Sequence, residues 1–141
     1  NIIGMKACNT DLYHFLKVIN GVDASFSVLS GEDTIFPAQM LCGAQGGIIV
    51  TANLLPKTWI HMYQLLVASK KDEALKLHQQ LIPLLDAAFA ETNPGPMKSV
   101  WDLVGVQAPN LLAPLVNCDP DLSARMRQLV QSQLVAECLL G

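Results

Sequence analysis

The chain has 141 residues, 51% of them hydrophobic, which is enough for one domain with a core and too few for two. The net charge is -3 and no Lys/Arg cluster stands ready to neutralise phosphates, which argues against nucleic acid as a partner. Charged residues make up only 15%, against about 25% in ordinary soluble domains, and so sparse a charge points to surface that is covered by something else.

The first third of the chain alternates. Ile2 to Met5 is a short apolar run, suited to a strand buried on both faces. Asn9 or Thr10 can cap the helix that follows, in which Leu12, Phe15, Leu16 and Ile19 share one face. Asn20-Gly21 stops it. Ser25 to Leu29 reads as a second strand and Ser30-Gly31-Glu32-Asp33 as a turn. Thr34 can cap a second helix carrying Ile35, Ala38, Leu41 and Cys42, with Pro37 in its first turn and Gly43 at its end. Gly47 to Val50 is Ile-rich and β-branched, and predicts a third strand. Units of this kind give parallel strands joined by right-handed crossovers.

After Asn53 the strands stop. Trp59, Met62, Tyr63, Leu66 and Val67 make an amphipathic face, and Lys70-Lys71-Asp72 marks a corner. Leu77, Leu81, Leu84, Leu85 and Ala88 make the next face, with Pro83 as a site for a kink. Asn93-Pro94-Gly95-Pro96 predicts an irregular loop, Met97 to Val104 a short helix ended by Gly105, and Gln107 to Cys118 an extended stretch. Asp119-Pro120 is an N-cap followed by proline in the first turn, opening a last helix lined by Leu122, Met126, Leu129, Val130 and Leu134. Three strands of buried type cannot cover themselves, and the pattern suggests the end of a larger α/β protein.

Cys8, Cys42, Cys118 and Cys138 include no Cys-x-x-Cys pair and no histidine at ligand spacing; they read as reduced, mostly buried thiols of a cytoplasmic protein, with no metal site. The start has no basic region and too short an apolar run for a signal peptide, and no stretch approaches the roughly 20 apolar residues that cross a bilayer. Membrane partners are therefore not expected.

Lys6 stands where a buried strand gives way to a loop. Ligands of parallel α/β folds bind at the carboxyl ends of the strands. An apolar setting disfavours the charged form of a lysine, and a neutral amine adds to ketones and aldehydes to form a Schiff base, an electron sink for carbon-carbon chemistry. A lysine that snorkels from a strand end into solvent is the commoner case, and position alone leaves both readings open. Ser30-Gly31-Glu32 and Thr51-Ala52-Asn53 stand at the ends of the next two strands, where small residues let a backbone approach a ligand. A flavodoxin-like binding domain is a weaker reading, because Gly43-Ala44-Gln45-Gly46-Gly47 is no nucleotide fingerprint and precedes a strand.

Four stretches in this order, Gly4-Met5-Lys6, Ser30-Gly31-Glu32-Asp33, Gly46 through Asn53, and Glu91-Thr92-Asn93-Pro94-Gly95-Pro96-Met97-Lys98, resemble the C-terminal half of the dihydrodipicolinate synthase family. These are pyruvate-dependent class I aldolases related to N-acetylneuraminate lyase, and Val50-Thr51-Ala52-Asn53 resembles the synthase branch. The resemblance runs the length of the chain. It implies a (β/α)8 TIM barrel, of which residues 1–70 would be the part equivalent to strands six to eight and residues 71–141 a C-terminal helical segment, together one folding unit. It implies a lyase of lysine biosynthesis that condenses pyruvate with aspartate semialdehyde. Lys6 matches the Schiff-base lysine, and Gly31 and Ile48 match positions lining the pyruvate pocket. No cofactor is implied beyond pyruvate held covalently on Lys6. Another pyruvate-dependent aldolase of the same family is the alternative substrate class.

The match has departures. The family usually has Glu-Ala after this lysine, where Ala7-Cys8 stands here, and Gly95 replaces a bulkier aliphatic residue. A barrel of this type takes roughly 250 residues. The tyrosine that relays protons, the threonines that hold the pyruvate carboxylate and the arginine for the aldehyde belong to the part without a counterpart here. Tyr13 and Tyr63 read as packing residues, and His14, His61 and His78 as non-catalytic helix residues. The expectations are a fragment of a barrel, inactive alone, that pairs with itself or with a complementary chain through its open strand edges. A non-catalytic remnant or assembly module is the alternative.

Overall fold

A computed structural model describes residues 1–107 and 110–140. The extended stretch expected from Gln107 to Cys118 therefore lies in part outside the described residues. The chain forms two compact units, one of Asn1–Val50 with Ile60–Gln79, the other of Thr51–Trp59 with Gln80–Gly141.

The first unit opens with β1 (Gly4–Ala7), α1 (Leu12–Gly21) and β2 (Ser27–Ser30). The strands are parallel, with Gly4 opposite Ser27 and Ala7 opposite Ser30. The cap of α1 is Asp11, one residue later than expected: its side chain accepts from the His14 N–H at 3.0 Å, while Asn9 Oδ1 accepts from the Asp11 N–H at 2.8 Å. Phe15 of α1 packs with Ala7, Val28 and Ala44, and Leu12, Val18 and Ile19 border that cluster. Side chains alternate across a strand, so Ala7 and Val28 turn one sheet face to this core and leave Lys6 and Leu29 on the other.

Two expectations about the strands are corrected. Ile2 and Ile3 precede β1 and are 78% and 79% exposed, and Met5 and Lys6 are exposed too. The strand is not buried on both faces, because β2 is the only strand beside it among the described residues. The third strand is reduced to one parallel bridge, Ser30 to Gly47. Gln45 N donates to Val28 O at 3.0 Å, Ser30 N to Gly46 O at 2.9 Å and Ile48 N to Ser30 O at 2.8 Å. There β2 ends, so the residues after Ile48 have no strand to pair with, and the Val50 N–H turns to the Asp33 carboxylate at 2.9 Å.

Glu32, rather than Thr34, caps the 3-10 turn Asp33–Ile35, which leads into α2 (Phe36–Leu41) with Pro37 in its first turn. Gly43 then takes a φ of 109°, a left-handed conformation costly for other residues. Helices α3 (Pro56–Val67) and α4 (Lys71–Ala88) each contribute to both units. In α3 the buried stripe is Thr58, Trp59, Met62, Leu65 and Leu66, whereas Tyr63 and Val67 are exposed, a rotation of the expected face. In α4 the expected Leu81, Leu84, Leu85 and Ala88 are buried, and the helix continues through Pro83.

In the second unit the expected loop after Asn93 closes into a helical turn, α5 (Gly95–Lys98), preceded by a cis Asn93–Pro94 bond. A 3-10 turn, Trp101–Val104, ends at Gly105 with φ 85°. The last helix, α6 (Pro120–Leu139), starts as expected: Asp119 Oδ1 accepts from the N–H groups of Asp121 at 2.8 Å and Leu122 at 3.2 Å. Its buried residues are Met126, Val130 and, unexpectedly, Glu137.

Arg127 of α6 forms a two-pronged pair with Asp102, at 2.9 and 2.8 Å. The hydrogen bonds from Arg127 hold the Asp102 carboxyl below the ordinary aspartate range, against a smaller opposing effect of desolvation. A lowered folded-state value means that the contribution is whole above the ordinary aspartate range and is lost as pH falls through the lowered value. Both groups are solvent-exposed, so the effect is small. Thermal melts from neutral pH down to about 3 are expected to bring the wild type and Asp102→Asn closer together as the medium becomes acid, and a constant gap would contradict this account.

Candidate functional site

The site is built where β1 and β2 end. Gly31 N donates to Ala7 O at 2.8 Å, which carries the parallel pairing one step past β2 and sets Gly31 beside Cys8. Lys6 and Cys8, two residues apart on an extended backbone, lie on the same side. A Cβ placed on Gly31 would stand 2.6 Å from Cys8 Sγ and 2.7 Å from both Cγ and Cε of Lys6. Glycine is required here for space, because two side chains occupy the volume where its own would be.

Ile48, the third expected site residue, is joined to the same place through the backbone, its N–H donating to Ser30 O at 2.8 Å. Its side chain is 49% exposed. Asp33, fully buried, draws this segment in: one carboxylate oxygen accepts from Val50 N at 2.9 Å, and its carbonyl accepts from His78 Nε2 at 2.9 Å. A carbonyl only accepts, so His78 carries its proton on Nε2 in this contact. His78 is thus buried and tied to the Asp33 backbone. Lys6 near the end of β1, Gly31 just past β2 and Ile48 just past the Ser30–Gly47 bridge are brought together by the backbone pairing, and Asp33 holds the segment after Ile48.

The expected apolar setting for Lys6 is not found, since its side chain is exposed on the open face of β1. Tyr13 is also corrected: it is 70% exposed, with the Lys17 ammonium 4.9 Å from its ring centroid, and does not pack in the core. Tyr63 is exposed as well. The cysteines are free but not mostly buried; Cys8 and Cys138 are exposed, Cys42 and Cys118 half-buried. Among the described residues no group of three or more His, Cys, Asp or Glu is placed to hold a metal ion, and no helix is long and apolar enough to cross a membrane.

A sequence model of the dihydrodipicolinate synthetase family matches residues 1–133. The chain belongs to that family. A 4-hydroxy-tetrahydrodipicolinate synthase of Cellvibrio japonicus is 34% identical over 134 residues, covering 95% of this chain and 45% of that protein. Among solved structures, dihydrodipicolinate synthase from Aquifex aeolicus superposes with a TM-score of 0.88 at 26% identity, over 95% of this chain and 46% of that one. The 4-hydroxy-tetrahydrodipicolinate synthase of Methylacidiphilum fumariolicum SolV gives 0.87 at 27% identity, over 99% and 47%. The chain thus spans about half the length of the family members it matches. Its described residues form a two-stranded parallel sheet and six α-helices, an α/β arrangement consistent with part of a TIM barrel.

The geometry brings two further residues to the site, Cys8 over Gly31 and Asp33 beside Val50. Cys8 was legible only as a departure after Lys6, although the two-residue spacing on a strand already places it on the lysine's side. Asp33 read as a turn residue, and nothing local marks it as the acceptor for an N–H seventeen positions later.

Proposed function

We propose that this chain carries the covalent group of a dihydrodipicolinate synthase-like lyase. On this reading Lys6 captures pyruvate as a Schiff base, Gly31 and Ile48 line the space that receives it, and the adduct condenses with aspartate semialdehyde. The observation that supports the reading is the convergence of Lys6, Gly31 and Ile48 where β1 and β2 end. In the capture step the Lys6 nitrogen adds to the ketone carbon and the carbonyl oxygen leaves as water. The iminium so formed withdraws electrons, and the pyruvate methyl gives up a proton to become the carbon nucleophile.

In this reading residues 1–70 correspond to strands six to eight of a (β/α)8 barrel, and residues 71–141 to a C-terminal helical segment. The proton relay and the groups that grip the pyruvate carboxylate come from parts of the family barrel to which this stretch does not correspond. Residues 1–141 on this reading supply the covalent capture, and general acid-base help from the rest of a barrel is worth about a further hundred- to ten-thousand-fold. The outer edge of β1, with Ile2 and Ile3 exposed before it, supports association with another copy or a complementary chain. A cytoplasmic setting belongs to the same reading, supported by four free cysteines. The exposure of Lys6 favours a second reading, a non-catalytic assembly module that retains the lysine.

Borohydride reduction in the presence of pyruvate, read by intact mass and peptide mapping, separates the two. A single reduced adduct on Lys6, absent in Lys6→Arg, is expected. Adducts scattered over the surface lysines, or none on a folded sample, would leave assembly as the better account.

A further inference from the structure

Lys6 and Cys8 are neighbours of an unusual kind. The stem of the lysine and the thiol lie over the same glycine, 2.7 and 2.6 Å from the point where its Cβ would be. The sulfur and the lysine Cε are therefore closer to each other than the sum of those two distances. Cys8 is free and exposed, so a small oxidant reaches it from solvent. Gly31 offers no side chain to separate the two groups, and the pairing of Gly31 N with Ala7 O fixes the glycine beneath them.

We infer that Lys6 and Cys8 form an oxidation-sensitive lock, in which a hydroperoxide joins the lysine nitrogen to the cysteine sulfur. The thiol first attacks the peroxide oxygen. The O–O bond breaks, sulfur loses two electrons to become a sulfenic acid, and the peroxide is reduced to water or an alcohol. The Lys6 amine, in its neutral form, then attacks the sulfenic sulfur. The S–O bond breaks and the hydroxyl leaves as water, taking one proton from the nitrogen. The product is a sulfenamide in which one hydrogen has been lost from sulfur and one from nitrogen. A thiol reductant reverses it by attack on sulfur, restoring the amine and leaving a disulfide that a second thiol resolves. Bound to sulfur, the linked nitrogen keeps only one hydrogen, one short of the two a neutral imine requires, and is crowded and less nucleophilic, so oxidation would close the site to carbonyl capture without altering the fold. The link itself rests on the Lys6, Cys8 and Gly31 geometry; only its consequence for pyruvate rests on the proposed function.

The test is exposure of the full chain to hydrogen peroxide at stoichiometric ratio, followed by non-reducing peptide mapping. The expected product is a peptide lighter by two hydrogens, with Lys6 resistant to trypsin and Cys8 resistant to alkylation, both restored by dithiothreitol. Cys138, also exposed, reports general thiol oxidation in the same sample. Cys8→Ser and Lys6→Arg should each abolish the mass change, and Lys6→Arg should leave Cys8 as a sulfenic or sulfinic acid. Oxidation of Cys8 in the wild type with Lys6 still cleavable would overturn the inference. Prior reduction with pyruvate and borohydride should block the link. If the link forms regardless while no pyruvate adduct is found, the lock stands and the Schiff-base reading falls.

Discussion

Replacement of Glu137 by alanine is expected to lower the free energy of unfolding by about 3 kcal/mol, the largest stability effect of any single exchange on α6. Its carboxylate is buried, 6% exposed, near the end of a helix whose only other buried residues are Met126 and Val130. It accepts from Lys57 N at 2.5 Å, from Thr58 N at 2.8 Å and from the Thr58 hydroxyl. These N–H groups belong to the first turn of α3, where no residue of the helix itself serves as acceptor and where negative charge is favoured by the helix dipole. Alanine would leave three donors without their acceptor, two of them on the buried Thr58. The loss corresponds to a fall of about 10 °C in the melting midpoint. Glu137→Gln keeps one acceptor oxygen and should fall between the two. Urea unfolding of Glu137→Ala, Thr58→Val and the double variant gives the coupling directly, and independent, additive losses would show that the contact does not tie α6 to α3.

The second large effect concerns Gly31. Its backbone is not left-handed, so alanine is excluded by volume and not by strain. A methyl group at 2.7 Å from Lys6 Cγ and Cε must push the lysine stem aside, since the Cγ is too near the backbone to swing freely. Gly31→Ala should therefore slow the trapping of pyruvate on Lys6 at least tenfold, about 1.4 kcal/mol of barrier, while the melting midpoint changes far less than in Glu137→Ala. Cys8→Ala in the Gly31→Ala background removes one of the two neighbours and should restore part of the rate. Trapping at the wild-type rate in Gly31→Ala would mean that the place of Lys6 over this glycine has no bearing on its chemistry.

The two effects differ in how visible their causes are in the chain. Gly31 stands in a quotable motif at the end of a recognisable strand, so its importance could be anticipated, though not the identity of the atoms above it. Glu137 carries no mark at all. It lies in a helix where glutamate is ordinary, and its partners are 79 and 80 residues away.

What the sequence determined by itself is the set of features with causes a few residues long. Asp119-Pro120 starts α6, Gly43 and Gly105 end their helical turns with positive φ, and β1, α1 and β2 alternate as the apolar spacing requires. Lys6 at a strand end and the four family stretches belong here too, since a motif is local by nature. What only the tertiary structure decided is everything that depends on a distant partner. The third strand shrank to one bridge because β2 ends at Ser30. Leu65 rather than Tyr63 faces inward on α3 because burial is set by what packs against a helix and not by its periodicity alone. Cys8 meets Lys6 because Gly31, brought in by strand pairing, leaves room for both, and Glu137 is buried because α3 supplies the donors that make burial of a carboxylate tolerable. Local propensity acts through the chain's own next few residues; pairing, packing and the burial of charge act through space.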